Sequence, residues 1–209
     1  MKLAIKVVLS GLIFLFIFLI WESVSAPIEF NIEKELRYAA AIKRLSDIRK
    51  TELAFLSRYK KFTGNFDSLI LFIKSDSIPI IHAEGSVPDT LSEKDAVKLK
   101  IVKRDTIYVR AMDSLFRKGY PVDSLPFVPL ISGKRFILRA AMLKVGTNDN
   151  ENSRYLPVFE AKVPNRILLS GLDNQLRINL DDEMLKYDKY PGVKVGSIET
   201  NVNNAGSWE

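Results

Sequence analysis

The chain has 209 residues, of which 47% are apolar and 27% charged, with a formal net charge of +6. That length suits one globular domain with an anchor, and the apolar share is too high for a disordered polymer. There is no cysteine and one histidine, His82. This excludes disulfide frameworks, thiolate metal sites, cysteine nucleophiles and multi-histidine metal centres.

The chain begins Met-Lys-Leu-Ala-Ile-Lys, and Val7 to Trp21 carries no charge. With Lys6 reaching to the interface, residues 3–21 form an apolar stretch close to the roughly 20 residues that span a bilayer. Trp21 is placed as an interfacial anchor, and the first charges beyond it are Glu22 and Glu29. Lys2 and Lys6 before the span predict a cytoplasmic N-terminus and an exported remainder. The competing reading is a cleaved signal peptide ending at Val24-Ser25-Ala26. Pro27 after that triplet and the long Phe-rich apolar segment favour the anchor.

Residues from Glu22 onward keep 29 of the 31 basic residues and all 25 acidic ones, a net +4. The charges are interspersed, without the basic block that tracks a nucleic acid, so no nucleic-acid partner is expected. Residues 23–30, with Pro27, read as a short extended linker. Asn31 is a suitable N-cap, and from Ile32 to Tyr59 there is no Gly or Pro. Tyr38, Ala41, Leu45, Ile48, Phe55 and Tyr59 recur at helical spacing, with Ile42, Leu53 and Leu56 beside them, which predicts an amphipathic helix roughly 40 Å long. Gly64 is placed to stop it. Leu45, Ile48 and Phe55 are expected to bury against a sheet.

Asp67 is placed to cap a short helix, Ser68–Lys74. The period then becomes alternating. Strands are expected over Pro79–Ala83, Ile101–Arg110, Lys134–Val145 and Tyr155–Val163, the last two as a hairpin around the polar loop 146–153. Ser92-Glu-Lys-Asp95 resembles a capping box opening a helix to Leu99. Asn174–Leu180 and Val193–Ile198 read as further strands, and residues 199–209 as a loose tail until Trp208.

No constellation points to catalysis. Asp-Ser-Leu/Ile occurs at Asp67, Asp76, Asp113 and Asp123, where an Asp that starts a turn explains it better than a gathered cation site. The acidic loop Asn148–Asn152 lacks the Gly and the bidentate Glu of a calcium loop. Ser57-Arg-Tyr-Lys60 has the Ser-x-x-Lys spacing but none of the partner motifs that make it a nucleophile. A structural role is the simpler reading of His82. No catalytic residue, metal site or cofactor is expected.

The stretch from Leu45 to Leu69 resembles the end of a pilin or type II secretion pseudopilin helix: an amphipathic helix, a Tyr/Gly turn and the restart Phe66-Asp-Ser-Leu69. The chain as a whole, including Pro191-Gly-Val-Lys-Val-Gly-Ser197 and Asn203-Asn-Ala-Gly-Ser-Trp-Glu209, is similar to single-pass envelope proteins of the Bacteroidota. Its layout also resembles the bitopic assembly-platform proteins of pilus and secretion machines. Gly11 is followed by Leu12-Ile-Phe-Leu-Phe16 without the Glu of a prepilin processing site, so such processing is not expected. The resemblance implies a pilin-like α+β fold: a transmembrane segment (1–22), a linker (23–30), an exported domain with a long helix packed on a mostly antiparallel sheet (31–198) and a tail (199–209). The implied location is the inner membrane, with the bulk of the chain periplasmic.

Three functions compete: an envelope assembly component resembling a pseudopilin or platform protein, a periplasmic binding module for a peptide, glycan or lipid, and a hydrolase. The first is preferred. Its expected contacts are membrane lipid through residues 3–21, and other envelope proteins or copies of the chain through Ile32, Leu36, Tyr38 and Ile42. Those four residues lie nearest the membrane, on a half of the helix expected to protrude below the head.

Overall fold

The structure is a computed structural model that describes residues 2–84, 103–145 and 154–209. The expected helix at 92–99 and the polar loop 146–153 lie outside these residues. The chain folds as α+β: a long N-terminal apolar helix, short helices and two small antiparallel sheets.

Helix α1 runs unbroken from Lys2 to Tyr59, 58 residues, with Pro27 inside it. The extended linker expected at 23–30 is therefore corrected to helix, and Asn31 lies mid-helix rather than at a cap. A proline removes one ladder hydrogen bond and crowds the preceding turn. Here long apolar and amphipathic stretches on either side hold the helical conformation across it. The helix stops at Lys60, in the left-handed conformation at φ 57°, whose N–H bonds the Leu56 carbonyl at 2.8 Å. The stop is thus Lys60 and not Gly64. Gly64 serves contact instead: a Cβ there would stand 3.2 Å from the Ala140 nitrogen.

Helix α2, Phe66–Ser75, is capped by Asn65, whose Oδ1 accepts the Asp67 N–H at 2.8 Å. The cap is the Asn two residues before the predicted Asp. Leu69, Phe72 and Ile73 are buried on its inner face. Strands β1 (Ser77–Glu84) and β2 (Lys103–Arg110) pair antiparallel as a two-stranded ribbon. Helix α3 (Ala111–Leu115) and a 3₁₀ turn at Val122–Ser124 follow.

Strands β3 (Ile137–Val145), β4 (Arg154–Pro164) and β5 (Gly192–Gly196) form the second sheet in the order β3-β4-β5, all antiparallel. Between β4 and β5 lie α4 (Asn165–Leu168) and α5 (Asn174–Lys186). The strand expected at Asn174–Leu180 is thus a helix. Leu176 and Leu180 satisfy both an alternating pattern and i, i+4 spacing. The Asp173 side chain decides by capping the Leu176 N–H at 2.8 Å, with Arg177 reaching Asp181 one turn on.

The tail is not loose. Gly196 N–H bonds the Ala205 carbonyl at 2.9 Å, Ser207 N–H bonds the Lys194 carbonyl at 2.9 Å, and Val195 bridges Gly206. The tail therefore covers the open edge of β5, which would otherwise leave unpaired backbone groups. The core joins α1 (Ala41, Leu45, Ile48, Phe55) to α2 (Leu69, Phe72, Ile73) and to the inner sheet face (Leu138, Phe159, Ala161, Val163, Val193, Val195). Leu45, Ile48 and Phe55 are buried, as their spacing predicts.

Candidate interaction face of the long helix

Helix α1 is the only one among the described residues long and apolar enough to cross a membrane. From Ile5 to Trp21 its large apolar side chains are solvent-facing, touching no part of the head. At 1.5 Å per residue, Phe30, which is buried in the head, stands about 14 Å beyond Trp21. The connection between the apolar run and the head is therefore helical, two to three turns long.

Above Trp21 the helix has two apolar sides. At about 100° per residue, Phe30, Ala41, Leu45, Ile48 and Phe55 cluster on one side, and all are buried in the head. Ile28, Ile32 and Leu36 lie about 180° away, and are exposed at 53%, 66% and 55%. Phe14, Phe18 and Trp21 fall on the same outer line, as does the exposed Ala39. The line ends in the exposed Lys43 and Lys50.

Of the four residues singled out from the sequence, the structure keeps two on this face. Ile32 and Leu36 are exposed, whereas Tyr38 and Ile42 pack against the core of their own head. The half of α1 that follows the apolar run does not simply protrude, because α4 and α5 fold beside it. The Tyr38 hydroxyl donates to Asn165 Oδ1. Asn165 Nδ2 donates to Asp181 Oδ1 at 2.8 Å, and Arg177 holds Asp181 Oδ2 at 2.7 Å. Asn165 is fully buried, so its bonds to Tyr38 and Asp181 satisfy a desolvated amide. Burial pushes the Tyr38 phenol up to about 12. The preceding residue, Arg37, donates to the Leu168 and Ser170 carbonyls at 3.2 and 2.8 Å and to Glu33 at 2.8 Å. These contacts fix the azimuth of α1 and so leave Ile28, Ile32 and Leu36 facing away from the head.

Beside this clamp is an open groove of 370 Å³ between α1 and α5. Tyr38, Leu180 and Met184 line it, and Lys34, Glu35, Glu183 and Lys189 stand at its rim. Its charges are mixed and it converges on no single chemistry.

Among the remaining candidates, Asp76, Asp113, Asp123 and Ser57 have structural partners. Asp67 sits in the first turn of α2 and Asp113 in α3. Asp76 accepts the Tyr59 hydroxyl, and Asp123 pairs with Lys74 at 2.7 Å. The four aspartates do not converge, and no metal-binding cluster occurs among the described residues. Ser57 donates to the Ala54 carbonyl at 2.7 Å, within its own helix. His82 stands in β1 opposite Asp105. The acidic loop at Asn148–Asn152 lies outside the described residues.

Sequence reasoning missed Glu52, which is fully buried on the head side of α1. Its Oε2 accepts the Thr63 N–H at 3.1 Å, and Oε1 has no hydrogen-bond partner. Burial pushes this carboxyl up to about 8, well above the ordinary 4.5. A Glu at helical spacing from Ile48 and Phe55 was the available signal. Also missed was the outer face of the second sheet. Buried Glu160 pairs there with Lys162 at 2.5 Å, and Lys162 and Lys194 lie against the Tyr190 ring.

Compared with known proteins, the chain matches no family model, no curated protein and no solved structure.

Proposed function

We propose that the chain is a non-enzymatic, membrane-anchored assembly component of the cell envelope, with residues 3–21 in the inner membrane, the N-terminus cytoplasmic and the head periplasmic. The observation that supports this most is the two-sidedness of α1. One side is consumed by the head, while Ile28, Ile32 and Leu36 continue the apolar line of the anchor above the membrane. An apolar line on a helical stalk, broken only at the small Ser25, is a surface for a protein partner. The resemblance of residues 45–69 to a pseudopilin helix agrees with this reading, as does the likeness of the layout to assembly-platform proteins.

Topology is tested by fusing alkaline phosphatase after Glu29, where activity is expected and inactivity would invert the orientation. Assembly is tested by cross-linking in cells followed by purification in mild detergent. The expected result is a stoichiometric complex that Leu36→Asp weakens. A monomer of the same size with and without the substitution would overturn the reading. The groove between α1 and α5 favours a second reading, a binding module for a peptide, glycan or lipid, which a monomer carrying a bound small ligand would support.

A further inference from the structure

We infer that the outer line of α1 seats a second copy of the same chain, parallel and in register, as a two-helix contact running from the anchor up to Ala39. The inference rests on the assembly reading above and names its partner.

Size is the first argument. Ile28, Ile32, Leu36 and Ala39 together offer a few hundred Å² above the membrane. A stable complex with a soluble partner buries about 800 Å² on each side. The line is too narrow to hold a partner arriving from solution. It suffices for a partner already confined to the same membrane plane, whose anchor adds contacts along Phe14, Phe18 and Trp21 and removes most of the entropic cost of encounter.

Geometry singles out a copy. Chains anchored by the same segment stand at the same height and point the same way, so each Ile28, Ile32 and Leu36 meets its own equivalent across a two-fold axis along the helices. The buried residues of α1 are on the side opposite the line. In such a pair both heads lie outward, away from the axis, and do not collide. With the small polar Ser25 counted between Trp21 and Ile28, the seven steps from Phe14 to Ala39 average about 3.6 residues, so the line climbs without drifting and two helices stay in contact along it at the usual 8–10 Å separation.

Charge sets the limits. No charged residue stands on the line between Trp21 and Ala39. Glu29 and Glu35 are on opposite shoulders and six residues apart, so they do not face each other across a parallel pair. Lys43 and Lys50 continue the line above Ala39 and would oppose their equivalents, so the two helices part there.

The chain has no cysteine, so a single introduced thiol reports without background. Full-length Ile32→Cys and Leu36→Cys are compared with Asn31→Cys, which is exposed but about 100° off the line. A short bis-maleimide spans thiols that face each other across helices about 8–10 Å apart. The purified chain is placed alone in phosphatidylethanolamine/phosphatidylglycerol vesicles, and the same variants are treated in native membranes. The expected result is a covalent dimer in the vesicles, at least tenfold faster at 32 and 36 than at 31. Equal rates at 31, 32 and 36 would overturn the inference. If the vesicles give no line-selective dimer but native membranes give a line-selective adduct with a different protein, the second copy is wrong and the assembly reading stands. If neither setting gives a line-selective product, both fail.

Discussion

Phe30 and Ile32 stand two residues apart on α1 and on opposite sides of it: Phe30 is 7% exposed within the core, and Ile32 is 66% exposed on the outer line. Side chains two positions apart on a helix point in widely different directions, so one short stretch serves both the fold and a surface. The two functions are therefore separable by substitution.

Phe30→Ala should destabilise the head by about 3–5 kcal/mol, the usual cost of emptying a buried aromatic site. Leu36→Asp should change stability by no more than about 0.5 kcal/mol, as at other exposed positions. Thermal unfolding of the full chain, held as single copies in excess detergent so that association does not contribute, checks both. Equal losses would show that Leu36 is covered by its own head.

Glu52 makes stability depend on pH. Its carboxyl is raised from 4.5 to about 8 in the folded head by burial, partly offset by the Thr63 N–H bond. Between those values the folded chain keeps a proton that the unfolded chain releases. Stability from this group is therefore full below the unfolded value and falls as pH rises. The slope is at most about 1.4 kcal/mol per pH unit, levelling off near the folded value. Glu52→Gln keeps an acceptor for Thr63 and removes the charge. Its melting temperature at pH 7.5 should exceed that of the unsubstituted chain, with a flatter profile between pH 5 and 8. Two parallel profiles would rule out the proton.

Tyr38→Phe removes the donor to Asn165 and leaves a buried carbonyl oxygen without that partner, at a cost of about 1–3 kcal/mol. Asn165→Ala should cost more, since it strands the Tyr38 hydroxyl and one oxygen of Asp181 together. Denaturant unfolding of the full chain measures both. If Asn165→Ala proved the milder change, the clamp between α1 and α5 would rest on apolar contacts alone.

Truncation after Asn204 should expose the edge of β5. Amide exchange at Gly196, whose N–H bonds the Ala205 carbonyl, should accelerate markedly. Glu209→Gln alone removes the 2.6 Å pair with Arg49 but leaves Trp208 against the Arg49 guanidinium, so it should leave that protection nearly intact. Unchanged exchange on truncation would show that the tail is an appendage.

Periodicity alone determined a good deal about this protein. The apolar run ending at Trp21, the buried line Leu45, Ile48, Phe55, the hairpin of β3 and β4 and the strand β5 were all legible. Each follows from a repeat that a single element imposes on its own residues. What the sequence did not determine was which element covers which surface. Leu176 and Leu180 fit a strand as well as a helix until the Asp173 cap and the packing beside Tyr38 chose. Tyr38 and Ile42 looked as free as Ile32 and Leu36 until α4 and α5 folded down beside them. The polar tail gave no pattern because its order comes from backbone bonds to β5, which any residue can make. Glu52, buried among apolar neighbours, broke the pattern without signalling why. Local periodicity reports the face a residue presents. Only the tertiary structure decides what meets that face, because burial is settled by elements distant in the chain.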